Sequence, residues 1–184
     1  MEFEGVLLKG GEITDMETFE SLPEDLKEFY SQTNGLVAFQ GGLTIRGCVT
    51  EPTWFSLAEA CNGEFAVSEV YENVDETDIP FAFDCCGDQY FLRDGIVFRL
   101  CGENGEIESY DIDIWEFIES AIAEPEDYLD LQPLHDFMND GGKLKPGEML
   151  HIYPPFMVEE SLDGVYILPA PVSYTHLRAH ETPE

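Results

Sequence analysis

The residue types best suited to chemistry stand close together in this sequence. Residues 79–100 read IPFAFDCCGDQYFLRDGIVFRL, in which two adjacent thiols, Cys85 and Cys86, lie between two carboxylates, Asp84 and Asp88. A second acidic pair, Asp111 and Asp113, has D-x-D spacing, and His135 and His151 are of the type that serves as general base. Zinc takes four ligands, commonly from two Cys pairs at C-x₂₋₄-C spacing. Adjacent cysteines with no second pair do not meet that need, and neighbours in a strand face opposite sides of the sheet. A nucleophilic cysteine needs a basic neighbour to lower its pKa, and here the nearest charges are acids. DCCGD therefore reads as a turn at Gly87 with the thiols as small apolar fillers.

The Asp111-x-Asp113 pair resembles a Mg²⁺ dyad, but GGKLKPGE lacks the G-x-x-x-x-G-K-[ST] pattern that would hold the phosphates. Helix capping accounts for Asp113. Neither histidine accompanies a recognisable Ser or Cys nucleophile motif. No catalytic residue, metal ligand or cofactor is expected. A metal-dependent hydrolase built on Asp84, Asp88, Asp111 and Asp113 ranks third, behind two binding readings.

Charge narrows the partners. Eight Lys and Arg stand against 39 Asp and Glu, a net charge of −31. Such a surface repels phosphate backbones and anionic membranes. It favours a basic protein partner, because complementary fields raise association rates. The chain has 184 residues, 43% of them hydrophobic, enough for one domain that buries about 70% of its unfolded surface. At the start, MEFEGVLLKGGEITD carries Glu2 and Glu4 where a signal peptide has bases, and the apolar run Val6–Leu8 is too short. No stretch has transmembrane length. Cys48, Cys61, Cys85, Cys86 and Cys101 form an odd set without C-x-x-C spacing. They read as reduced thiols of a cytoplasmic protein.

The elements that must position these residues are well punctuated. In SLPEDLKEFYSQTNG, Pro23 suits the first helical position and Glu24 and Asp25 the positive end of the dipole. Leu22, Leu26, Phe29 and Tyr30 share a face, and Asn34-Gly35 supplies a left-handed stop. LVAFQGGLTIRG predicts strand, turn, strand. TWFSLAEACNG predicts a short helix capped by Thr53 or Ser56. After Pro80 the pattern alternates through three or four strands, with hairpin signals at Asp94-Gly95 and Asn104-Gly105. Connections this short make an antiparallel meander. Asp113 and Glu116 resemble a capping box that opens a helix with the stripe Ile114, Phe117, Ile118, Ala121 and Ile122. A helical stretch interrupted at Pro133 and stopped at Gly141 follows. GEMLHIYPPF and GVYILPAP then predict a returning strand pair, with Pro154-Pro155 at a corner or edge. The fold class is α+β, a central antiparallel sheet with helices packed on it, in one domain over residues 1–171.

The last thirteen residues, VSYTHLRAHETPE, break register. From Val172 to Thr182 they resemble the translation of a transposon-end adapter used in DNA sequencing libraries, and 172–184 is set apart as a non-native tail. No function is expected of His176 and His180. The tail's charges are Arg178, Glu181 and Glu184, so the acidity stands without it.

Acids concentrate in two runs, Glu64, Glu69, Glu72, Asp75, Glu76 and Asp78 before the central strands, and Glu103, Glu106, Glu108, Asp111 and Asp113 after them. They are expected to rim the sheet's free side or its ends.

LPEDLKEFYSQTNGL, GGLTIRG and IPFAFDCCGDQYFLRDGIVFRL, followed by GEIE and a capped helix, together resemble the SUKH superfamily. More narrowly, they resemble its bacterial branch, related to the yeast Smi/Knr cell-wall regulators. KPGEMLHIYPPF is similar to a C-terminal block in some bacterial members. The resemblance runs from about Leu22 to Leu168 and implies a central antiparallel sheet flanked by helices, with no enzyme activity. It also implies a binding role, as an immunity protein that neutralises a toxin or as an interaction module in signalling. The expectation is a monomer or weak dimer that binds a basic toxin, a nuclease being one such class. Its contacts would come from Trp54, Asp84, Asp88, Tyr90, Phe91, Glu103, Glu106 and Glu108. The alternative is a general protein-interaction scaffold of the Smi/Knr type.

Overall fold

Seven strands hydrogen-bond in the order in which they occur along the chain, each antiparallel to the next. The computed structural model describes residues 2–64, 66–153 and 166–172. In chain order the elements are β1 (Leu8–Lys9), α1 (Met16–Ser21), α2 (Glu24–Gln32), β2 (Leu36–Ala38), β3 (Leu43–Ile45), α3 (Leu57–Asn62) and α4 (Val67–Val70). There follow β4 (Ile79–Asp84), β5 (Gln89–Arg93), β6 (Ile96–Leu100), β7 (Ile107–Ser109), α5 (Ile114–Ala123), α6 (Pro125–Tyr128), α7 (Gln132–Asn139), β8 (Glu148–Tyr153) and β9 (Tyr166–Pro171). The fold is α+β, as the pattern predicts. The meander is longer than the three or four strands expected, because β1, β2 and β3 join it.

Local chemistry explains most boundaries. Asp113 caps α5, its Oδ1 accepting from the N–H groups of Trp115 and Glu116 at 2.9 Å each. Ser56 caps α3 through the Glu59 N–H, so Ser56 rather than Thr53 fills that role. Asp94 and Gly95 turn the β5–β6 hairpin with φ of 52° and 82°. Two positive φ values in a two-residue loop match the right-handed twist of the strands, and Asp and Gly tolerate them. Pro133 stands in the first turn of α7, where its missing N–H costs nothing, so it opens that helix instead of interrupting one.

Asn34 does more than stop α2. It is buried, its Oδ1 accepts from the Cys48 N–H at 2.7 Å, and its Nδ2 donates to the carbonyls of Gly11 and Glu12. One amide thus fastens the N-terminal segment and the residues after β3 to the end of the helix.

Both faces of the sheet are covered. On one face Leu43, Ile45, Tyr90, Leu92 and Val97 pack with Leu26, Phe29 and Tyr30 of α2 and with Ile114, Phe117 and Ile118 of α5. On the other, Phe91 and Leu100 pack with Val67 and Val74, and Val37 packs with Val49 and Phe55. This is why the central strands read as near-continuous apolar runs, as strands buried on both sides do.

Between Ile79 and Ala82 the β4–β5 register shifts, a bulge that interrupts the ladder. Arg46, 1% exposed, serves this region. Its Nη1 donates to the carbonyls of Pro80 at 2.8 Å and Ala82 at 3.3 Å, its Nη2 donates to Gln89 Oε1 at 2.7 Å, and its guanidinium lies 4.8 Å from the Phe83 ring centre.

β8 and β9 pair only with each other, so the returning strands form a second sheet and do not extend the first. The Leu150 N–H donates to the Cys85 carbonyl at 2.7 Å, and Leu150 packs with Cys85, Leu134 and Leu144. Pro154-Pro155 lies outside the described residues, as does the tail beyond Val172.

Candidate partner interface

The DCCGD turn is built around its first carboxylate. Asp84 Oδ1 accepts from the backbone N–H groups of Cys86, Gly87 and Asp88 at 2.9–3.1 Å, and Oδ2 accepts from the Tyr90 hydroxyl at 3.3 Å. Burial, then the neighbouring Asp88 charge, pushes the Asp84 carboxyl up to about 8, while Arg99 and the backbone N–H donors pull the other way. Asp88 accepts from Arg99 Nε and from the Gly102 N–H, both at 2.8 Å, and so ties the turn to the end of β6.

The adjacent cysteines do not face opposite sides, because this stretch is a turn and not a strand. Their Sγ atoms lie 3.9 Å apart, near the Asp130 carbonyl. Cys85 is buried and Cys86 half-buried. A hydrogen bond with Cys85, then burial, raises the Cys86 thiol above its ordinary value, which disfavours the thiolate.

The second feature joins the two acidic runs. The Tyr71 hydroxyl donates to the Gly102 carbonyl at 2.8 Å, and Asn73 Nδ2 donates to the Gly105 carbonyl at 2.7 Å. Burial, then the Asp88 charge, pushes the Tyr71 phenol up to about 12, so it stays a donor. These bonds seat the 69–76 segment against the loop before β7. Glu69, Glu72, Asp75 and Glu76, all exposed, therefore share one end of the sheet with exposed Glu106 and Glu108 and half-buried Glu103. The cations nearest this end are engaged. Arg93 holds Asp78 through Nε at 2.9 Å, with Asp75 at 3.7 Å, and Arg99 holds Asp88. Asp78 is buried in that pair and leaves the exposed set.

The structure divides the residues expected to make partner contacts. Tyr90 and Phe91 are both 0% exposed, on opposite faces of a sheet covered on each side, and present no surface to a partner. Asp84 and Asp88 are buried in the turn and the Arg99 pair. Trp54 is half-buried beside Phe55 and packs with Val37 of β2. Five strand positions separate β2 from β7, roughly 24 Å at ordinary strand spacing, so Trp54 is not part of the acidic end. Glu103, Glu106 and Glu108 are. Tyr71 and Asn73 were not foreseen, since nothing in VYENVD marks them as clamps.

The acids of the hydrolase reading are each engaged locally. Asp84 and Asp88 serve the turn, Asp113 caps α5, and Asp111 accepts from the Ser109 hydroxyl at 2.7 Å. Among the described residues no three His, Cys, Asp or Glu side chains gather as a ligand set. His135 Nε2 lies 3.4 Å from Glu126 Oε1, and His151 is exposed on β8. Among the described residues no helix is long and apolar enough to cross a membrane.

No curated protein and no solved structure matches the chain. The SMI1 / KNR4 family (SUKH-1) model matches residues 15–120, from the cap of α1 through most of α5. Both acidic runs and the 84–88 turn lie inside the match, and the KPGEMLHIYPPF block lies beyond it. With more than half its length matched, and with the antiparallel meander and its helices in place, the chain belongs to the SMI1 / KNR4 family (SUKH-1).

Proposed function

We propose that this chain is an immunity-type protein of the cytoplasm that neutralises a cognate basic toxin by covering its cationic surface. It carries out no catalysis. Family membership supports a protein-binding role of the immunity or Smi/Knr kind. The observation that carries the narrower reading is the meeting of the 69–76 and 103–108 runs, held together by Tyr71 and Asn73. A net charge of −31, with exposed acids of both runs near the β7 end of the sheet, suits a partner whose own substrate is anionic, and a nuclease is such a partner. Carboxylates would stand where phosphates otherwise bind.

The test is capture of the proteins encoded immediately beside this gene by the full-length chain, followed by titration of the captured protein's activity. Stoichiometric inhibition of a basic toxin is the expected result. A housekeeping partner with no toxin would favour the second reading, a Smi/Knr-type scaffold, which the family membership supports equally. Turnover of a small substrate, lost on replacing one carboxylate, would contradict both.

A further inference from the structure

The main sheet ends at β7, and among the described residues no strand pairs with its outer side. The Cys101 N–H donates to the Glu106 carbonyl at 2.9 Å, and the Tyr110 N–H donates to the Val97 carbonyl at 3.0 Å. Glu106 and Tyr110 therefore turn their backbone groups toward β6. By the alternation of an antiparallel ladder, Ile107 and Ser109 direct theirs outward. Such an edge is a template for another extended chain.

Two further features distinguish this edge. A cleft of about 520 Å³ lies over β6 and β7 next to this edge, lined by Arg99, Cys101, Asn104, Glu106, Ile107 and Glu108. Glu106, just before β7, and Glu108, on it, are two apart, so their exposed carboxylates stand on one face at the spacing of alternate side chains in a paired strand, with Glu106 Oε2 also accepting from Asn104 Nδ2 at 3.0 Å. Ile107, half-buried, faces the other way and packs with Phe91 and Leu100 under Tyr71. The carboxylate face is open to whatever pairs with β7.

We propose that β7 accepts an extended, basic segment of the partner as an additional strand. Its backbone pairs with Ile107 and Ser109, and its alternate Lys or Arg side chains meet Glu106 and Glu108. Main-chain bonds of this kind supply affinity, and the alternating side chains supply selectivity. The inference rests on the reading that the partner is basic and adds the form in which it is recognised.

The test uses the full-length protein and a blocked peptide of alternating Lys and Val. Two versions N-methylated on alternate residues keep the charge, and each removes one set of backbone donors. The expected result is that one N-methylated version binds about tenfold more weakly, the worth of two backbone hydrogen bonds. The unmodified peptide should also slow amide exchange at Ile107 and Ser109. Glu106→Lys with Glu108→Lys should abolish binding. Equal affinity for all three peptides, with unprotected amides, would overturn strand pairing and leave charge docking of the basic partner standing. No binding of the unmodified peptide would also overturn it. The broader reading is decided separately, by the capture of the adjacent-gene product.

Discussion

The Tyr71 hydroxyl and the Gly102 carbonyl, thirty-one residues apart in sequence, meet at 2.8 Å, and this contact fastens the segment that carries the first acidic run to the loop that opens the second. Tyr71→Phe removes the donor and keeps the ring against Gly105. A loss of about 1 kcal/mol in denaturant unfolding is expected, the ordinary worth of one hydrogen bond. Asn73→Ala together with Tyr71→Phe should slow association with a basic partner while the far-ultraviolet circular dichroism stays unchanged. An unaltered rate in a folded double variant would detach this clamp from binding.

Arg46→Ala should cost about 3 kcal/mol or more. It leaves the Pro80 carbonyl and Gln89 Oε1 without their donor and opens a cavity over Phe83. Arg46→Lys should recover little, since one ammonium cannot copy a planar fork that reaches both acceptors while lying on a ring. Full recovery by lysine in thermal unfolding would show that charge alone matters there.

Asp84 should make stability fall as pH rises. Its folded pKa stands above the ordinary carboxylate value, so the native state holds the proton more tightly than the unfolded chain does. That contribution is complete below about pH 4, the unfolded value, and is lost as pH climbs to about 8. Asp84→Asn keeps an oxygen for the three backbone N–H groups but does not titrate. The stability difference between variant and wild type should shift in favour of the variant across that window. Parallel curves would contradict the assignment. The comparison of two chains matters because self-repulsion among the other acids follows pH in the same direction.

Burial pushes the Cys48 thiol up to about 12 and the Cys61 thiol up to about 11. At pH 8 both should resist iodoacetamide in the native protein and react once it is unfolded, as read by peptide mass spectrometry. Fast native labelling of either would show that this part of the core opens.

Much of this fold was legible in the sequence, and particular residues show why. The α2 and α5 stripes, the Asp94-Gly95 hairpin and the Asp113 cap depend on local chemistry that neighbours along the chain supply. β1 escaped notice because two residues, Leu8 and Lys9, carry no periodicity; β2 alone makes them a strand. Alternation shows that Tyr90 and Phe91 point opposite ways but not that each side is covered, so their burial is not legible in the sequence. The same limit applies to Asp84 and Asp88, whose partners Tyr90, Arg99 and Gly102 are brought in by the hairpins. Arg46 gave no local sign of its role, since the carbonyls it serves lie more than thirty residues away.

Reversing the acidic end tests the central claim most directly. The quantity is the association rate of the captured partner, measured from low to high ionic strength with the wild type and with a variant carrying Lys at Glu69, Glu72, Glu106 and Glu108. Screening shortens from about 30 Å at 0.01 M to about 3 Å at 1 M salt. The wild-type rate should fall by about tenfold or more over that range, and the variant should start slow and respond weakly. A wild-type rate that stays level with salt, or a variant that matches it at low salt, would contradict the claim that this end captures a cationic surface.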